Sequence, residues 1–243
     1  MTDEQAHKAI DDMLVGNQMG DAGSRVVIEE FLTGEEASFI ALVDGKNVLA
    51  LASSQDHKRL LDGDEGPNTG GMGAYSPAPV VTDQIHRAIM EQVIEPTNCR
   101  MGDPETQPIM MRLRSDFSAV LQSAVNGELD QVKLDWDPRC AMGVVLAAPG
   151  YPASPKTGAV ISGLPRDDNN LSEHCVVFHA GTKASDQDTV TSGGRVLCVT
   201  ALGDTVESAR ANAYAGATGI NFANKQMRSD IGYRAIARST KAA

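Results

Sequence analysis

No stretch of the 243-residue chain approaches the ~20 consecutive apolar residues that a membrane-spanning helix needs. The opening MTDEQAHKAID has neither a basic leader nor an apolar core, so it does not read as a secretory signal. Cysteine is scarce and scattered. Cys99, Cys140, Cys175 and Cys198 make no CxxC and no CxxH, which excludes a zinc framework or a disulfide scaffold and fits a reduced, cytoplasmic setting. Cys198 lies in the apolar run 196–200 and reads as a buried, inert thiol. Positive charge is also short: 21 Lys and Arg face 32 Asp and Glu, a net charge of −11. Such a chain does not favour phosphate backbones, so general nucleic-acid binding is excluded. There is no P-loop pattern and no internal repeat.

What is present is globular in composition, 42% hydrophobic and 22% charged. The charge is uneven. Residues 1–135 carry 10 Lys and Arg against 23 Asp and Glu, whereas residues 136–243 carry 11 against 9. Together with a change of texture this places a domain boundary near 136, giving units 1–135 and 136–243. Thr2 with Gln5 makes a capping box for a helix carrying Ala6, Ile10, Met13 and Leu14. Strands are predicted at 25–32, 36–43 and 47–54, the last two joined around Asp44-Gly45. Residues 62–82 read as a long Gly- and Pro-rich loop. A helix follows at 83–95, then an irregular stretch at 96–108 and a helix capped by Ser115 that runs to about Asn126. Strands are expected at 141–149, 174–182 and 194–203, with one late helix capped by Asp204 and Glu207. The fold class is α+β.

Three polar clusters are not explained by these patterns. SQDHKR, ending at Arg59, collects an acid, an imidazole and two cations at a strand end. GPNTGGMG at 66–73 brings glycines whose backbone N–H groups can approach an anion. NCRMGDPETQ at 98–107 packs an amide, a guanidinium and two carboxylates, suited to metal, phosphate or carboxylate. The pair Glu29-Glu30 suits a ribose or an exocyclic amine. His174 and His179 read as structural. Taken alone, these features describe a mixed α/β protein with anion- and metal-capable loops, and they name no reaction.

At VIEEFLTGEEASF, SQDHKR, GPNTGGMGAYSP and NCRMGDPETQP the sequence closely resembles the phosphoribosylamine–glycine ligase (glycinamide ribonucleotide synthetase) family of the ATP-grasp superfamily. The resemblance continues through GYP at 150–152, HAGT at 179–182, TSGGRVLCVTALG at 191–203 and DIGYRAI at 230–236, and so covers essentially the whole chain. It implies a partial ATP-grasp module followed by a small, strand-rich C-terminal domain. The implied reaction belongs to purine synthesis: ATP phosphorylates the glycine carboxylate, and the amine of 5-phosphoribosylamine attacks the glycyl phosphate. Magnesium or manganese would serve the triphosphate.

By the same resemblance Glu29, Glu30, Phe31 and Leu32 hold the adenine and Glu36 or Glu35 the ribose. Asp56, His57, Lys58 and Arg59 face the phosphates and the acceptor. Asn68, Thr69, Gly70 and Gly71 close over glycine and the acyl phosphate. Arg100 stabilises developing negative charge, with Lys58 and Asp103 as further catalytic residues and Glu105 in the same signature. Asn98 is the metal-binding Asn, with Glu95 as its nearest carboxylate partner. The resemblance also implies departures. The family's N-terminal substrate domain and its phosphate-contacting lysines have no counterpart, and a strand pair between Thr97 and Asn98, ending in a metal-ligating Glu, is missing. The expectations are impaired turnover by this chain alone and association with another copy or a complementing chain, because unpaired strand edges seek partners. A catalytically silent remnant that binds nucleotide or packs on a partner stays open as the alternative.

Overall fold

The computed structural model describes residues 2–16, 20, 24–30, 32–92, 101–165 and 169–242. Its contacts separate two units, Met1–Glu35 and Glu36–Ala243. The first holds α1 (Asp3–Leu14). The Thr2 hydroxyl accepts from the Gln5 N–H and the Gln5 side chain accepts from the Thr2 N–H, which is the expected capping box. Segment 25–32 departs from expectation. Its described residues are in no strand, and Val27, Ile28 and Leu32 are exposed. A short β-branched, apolar run favours a strand only where a neighbouring strand takes up the backbone N–H and C=O groups.

The second unit opens with the hairpin β1 (Ala41–Val43) and β2 (Val48–Ala50), in which Val43 pairs with Val48. Its turn is set by Asp44, whose carboxylate accepts from the N–H groups of Lys46 and Asn47 and from the Asn47 amide. Next come β3 (Gln55–Asp56), β4 (Arg59–Leu61), β5 (Glu65–Asn68) and β6 (Gly73–Ser76). The Gly-rich stretch expected as one long loop is therefore partly strand: β4 pairs with β5, and β6 enters the main sheet. Its composition hides this because β6 opens with a glycine that close packing requires. A Cβ on Gly73 would come within 2.7 Å of the Gly143 carbonyl oxygen and 2.8 Å of Ile231.

Helices α2 (Asp83–Gln92), α3 (Thr106–Arg112) and α4 (Phe117–Asn126) follow. Helix α3 begins inside the stretch 96–108 that the sequence predicts as irregular, and continues past it. Helix α4 is capped by Asp116 rather than Ser115, and it ends at Gly127 in the left-handed conformation. Ser115 instead accepts the Asp135 N–H. Then come β7 (Cys140–Ala147), β8 (Asn170–Ser172), β9 (Cys175–His179), β10 (Thr182–Ser185), β11 (Asp188–Thr191) and β12 (Arg195–Gly203), with α5 (Val206–Gly219) and α6 (Tyr233–Ala242) after them. Helix α5 is capped by Thr205 with Ser208 rather than by Asp204 with Glu207. Among the described residues there are two late helices, where the sequence predicts one.

The main sheet is antiparallel throughout, in the order β3-β6-β7-β12-β9-β8. It takes strands from both sides of residue 136, and mixed helices with an antiparallel sheet make the class α+β as expected. Met142, Val144, Leu146, Val177, Leu197 and Val199 lie at its centre under Ala209, Ala213 and Ala217 of α5. Cys198 is buried as expected, and burial pushes its thiol up to about 12.

Candidate functional site

Short strands of alternating side chains split the SQDHKR cluster across two faces. On one face Lys58 Nζ lies 2.8 Å from the Asp56 carboxylate and 3.5 Å from that of Glu36. Partial burial works against the lysine charge, but Asp56 and Glu36 outweigh it and hold its pKa above the ordinary value. Glu36, Lys58, Gly70, Gly102, Asp103 and Glu105 line one cavity of about 390 Å³, together with residues 37–41. The Ser38 hydroxyl donates to Glu105 across 2.9 Å.

On the other face His57 is buried. Its Nε2 accepts the Gly232 N–H at 2.9 Å, and its ring packs beside Tyr75 and Tyr233. The Nδ1 atom, which carries the proton in this tautomer, stands 3.7 Å from Asp64 and makes no hydrogen bond. Burial first, and then the Arg228 charge, push the imidazole down to about 4, against the pull of Asp64 and Asp230. Arg59 points away as well and donates to the Gly66 carbonyl.

An ionic network surrounds that histidine. Buried Arg228 makes two 2.7 Å bonds to Asp230 and a 2.9 Å bond to Asp64. Asp64 also accepts from Tyr233 and Arg234, and Asp62 accepts from the Ser229 N–H and hydroxyl. Burial alone would raise the Asp64 pKa. The donors Tyr233, Arg228 and Arg234 overcome it and hold the carboxyl well below its usual range. DIGYRAI is thus tied to the DGDEG turn.

The Gly-rich loop is held by side chains rather than left open. Thr69 donates its N–H and its hydroxyl to the Lys58 carbonyl. The Gly71 N–H goes to the Thr69 hydroxyl and the Gly70 N–H to the Tyr151 hydroxyl. These N–H groups are therefore not free donors for an anion, contrary to the simplest reading of the glycines. The glycines serve close approach instead: a Cβ on Gly71, whose φ is +114°, would lie 2.4 Å from Pro104. Asn68 is exposed in β5, opposite Arg59.

Of the expected residues, the structure therefore brings Glu36, Lys58, Gly70 and Asp103 to one cavity, with Asp56 and Thr69 bonded to Lys58. It does not bring His57, Arg59 or Asn68 there. Glu29, Glu30 and Leu32 are exposed residues of the first unit. Phe31, Glu95, Asn98 and Arg100 lie outside the described residues. Among the described residues no group of three or more His, Cys, Asp or Glu side chains is placed to hold a metal ion. The carboxylates of Asp56, Asp103 and Glu105 are already engaged by Lys58, Arg195 and Ser38. These donors alone do not fit a metal. Sequence reasoning missed Arg195 and Tyr151. Both lie in quoted motif blocks, TSGGRVLCVTALG and GYP, and an Arg beside two glycines at a strand start was the available signal.

The phosphoribosylglycinamide synthetase ATP-grasp (A) domain model matches residues 1–107, and the phosphoribosylglycinamide synthetase C domain model matches residues 141–234. The chain is 53% identical over 270 positions to a phosphoribosylamine–glycine ligase of Ralstonia nicotianae, covering 98% of this chain and 63% of that protein. It is 56% identical over 270 positions to one of Vibrio parahaemolyticus, covering 98% and 62%. Both alignments run over more positions than the chain has residues, so the relatives hold segments with no counterpart here. The crystal structure of phosphoribosylamine–glycine ligase from Thermotoga maritima superposes with a TM-score of 0.74 at 32% identity, over 94% of this chain and 63% of that one. The biotin carboxylase domain of a thermophilic 2-oxoglutarate carboxylase shares the fold at a TM-score of 0.57 and 12% identity. The chain spans less than two thirds of the length of the ligases it matches.

Proposed function

Because the chain belongs to the phosphoribosylglycinamide synthetase family, we propose that its cavity is part of the site at which ATP, glycine and 5-phosphoribosylamine become glycinamide ribonucleotide, ADP and phosphate through glycyl phosphate. One observation supports this above the others. Lys58, Gly70 and Asp103, from separate motif blocks, line a single cavity. Lys58 presents a fixed positive charge there, oriented by Asp56 and Glu36. Such a charge needs no reorganisation when negative charge develops on an acyl phosphate. Gly70 and Gly71 let the loop pack closely against Arg195 and Pro104 at the edge of the cavity.

In this reading residues 1–135 are a partial ATP-grasp domain and 136–243 the C-terminal domain. Glu29, Glu30, Phe31, Leu32 and Glu36 serve the nucleotide, Arg100 the acyl phosphate, and Asp56 and Thr69 the substrate side. Magnesium or manganese enters through the family resemblance alone, with Glu95 and Asn98 to hold it. A cytoplasmic setting and association with another chain belong to the same reading. Among the described residues no helix is long and apolar enough to cross a membrane.

The test is ATP binding by the chain, followed as a rise in melting temperature, alongside phosphate release with all three substrates. The expected outcome is a shift at millimolar ATP that Lys58→Ala abolishes, with little turnover by the chain alone. No shift at millimolar ATP would overturn the reading. A shift accompanied by no phosphate release at all would favour a silent nucleotide-binding module.

A further inference from the structure

Two walls of the cavity come from segments that no strand ladder joins: the Gly-rich loop at Gly70 and the turn at Asp103. One side chain bridges them. Arg195, the first residue of β12, donates to the Gly70 carbonyl at 2.7 Å and to the Asp103 carbonyl at 2.6 Å. Its other terminal nitrogen lies 3.1 Å from the Asp103 carboxylate. The base of this side chain is fixed, because Arg195 pairs with Ala147 of β7 and its carbonyl accepts the Gly181 N–H at 2.9 Å. The rigid guanidinium fork carries that anchoring out to three acceptors on two segments, which a lysine's single ammonium does not reproduce.

The Gly70 N–H is taken by the Tyr151 hydroxyl at 2.9 Å, so side chains from the C-terminal part hold both backbone polar groups of Gly70. The fit is close: a Cβ on Gly70 would lie 2.9 Å from the Arg195 guanidinium carbon. Arg195 does not itself line the cavity.

We propose that Arg195 is a positioning residue, which fixes the separation of Gly70 and Asp103 and thereby sets the width of the cavity for a phosphate-bearing ligand. Tyr151 supports it from the N–H side. The proposal rests on the cavity being the nucleotide and substrate site, but its first test does not. In the full chain, amide exchange at residues 69–72 is expected to rise at least tenfold in Arg195→Ala and Arg195→Gln and by a smaller factor in Tyr151→Phe. Exchange at 197–202 in β12 should stay unchanged. ATP affinity, measured by calorimetry, should fall tenfold or more in Arg195→Ala and be only partly rescued by Arg195→Lys.

Unchanged exchange at 69–72 in both Arg195→Ala and Arg195→Gln overturns the proposal, as does full rescue of exchange and affinity by Arg195→Lys. If the two larger truncations do not fold, Arg195→Lys decides, with a threefold rise at 69–72 supporting the fork and no rise overturning it. A wild-type chain that binds no ATP would sink the functional reading, while the exchange experiment would still decide the clamp.

Discussion

The centre of the sheet and the cavity wall are held by different forces. In β7, β9 and β12 each buried side chain follows from its own strand: alternate residues face α5, and ladders on both sides satisfy the backbone. Around the cavity the apolar Ala37, Phe39, Ile40 and Ala41 share the lining with Glu36, Lys58, Asp103 and Glu105, and the loop and turn that wall it are held by polar bonds. Gly70 and Asp103 are placed by hydrogen bonds and an ion pair to residues far away in the chain, Tyr151 and Arg195, and on the opposite face the DGDEG turn is held in the same way by Arg228 and Tyr233. The first region draws its stability from area removed from water. The second draws its shape from donors and acceptors whose loss costs geometry before it costs stability.

The largest effect expected from this contrast is at Leu197, which is 1% exposed between β7 and β9. Leu197→Ala removes buried methyl groups and leaves a cavity, costing about 2–5 kcal/mol in urea unfolding. Residual ATP binding by the folded fraction should be unchanged. A loss of affinity without loss of stability would break the distinction between the two regions.

Next in size is the pH dependence set by His57, whose environment belongs to the ionic side. Its folded value of about 4 lies below the ordinary 6.5. Between those values the unfolded chain binds a proton that the folded chain refuses. Stability from this group is full above about pH 6.5 and is lost as pH falls toward 4, by roughly 3 kcal/mol. Asp64, ordinarily at 3.8 and depressed in the fold, gives up its own contribution only at lower pH, so the two windows separate. Urea midpoints between pH 7 and pH 4 should fall in the wild type and flatten over that range in His57→Gln. A wild-type midpoint constant from pH 6.5 to 4 would show that the imidazole is not buried neutral.

This division also explains what the sequence revealed. The strands at 141–149 and 194–203 were legible because their apolar runs report their own burial. The Asp44-Gly45 hairpin and the Thr2 capping box were legible because their bonds are local. The described residues of 25–32 form no strand, since a β-branched run does not supply a partner strand. Strand β6 was hidden because its first residue, Gly73, answers to Gly143 and Ile231, which lie far along the chain. In the site, motif blocks pointed to Lys58, Gly70 and Asp103. The strand alternation that turns His57 away from Lys58 could be read from neighbouring positions, yet nothing local marked Gly232 or Arg228 as its surroundings. Arg195 escaped for the same reason: its acceptors are 125 and 92 residues away.

The smallest expected effect tests the local end of this scale. Asp116 caps α4 by accepting the N–H groups of Ser118 at 2.9 Å and Ala119 at 3.3 Å. It is exposed and holds only the helix that follows it. Removing the carboxylate in Asp116→Ala returns those two donors to water and should cost about 1 kcal/mol, whereas Asp116→Asn, which keeps an acceptor oxygen, should cost a few tenths. Neither substitution should alter amide exchange at residues 69–72, because no bond from Asp116 reaches the loop. Were Asp116→Ala to loosen that loop as Arg195→Ala is expected to, the cavity wall would be responding to global stability rather than to its own long-range bonds.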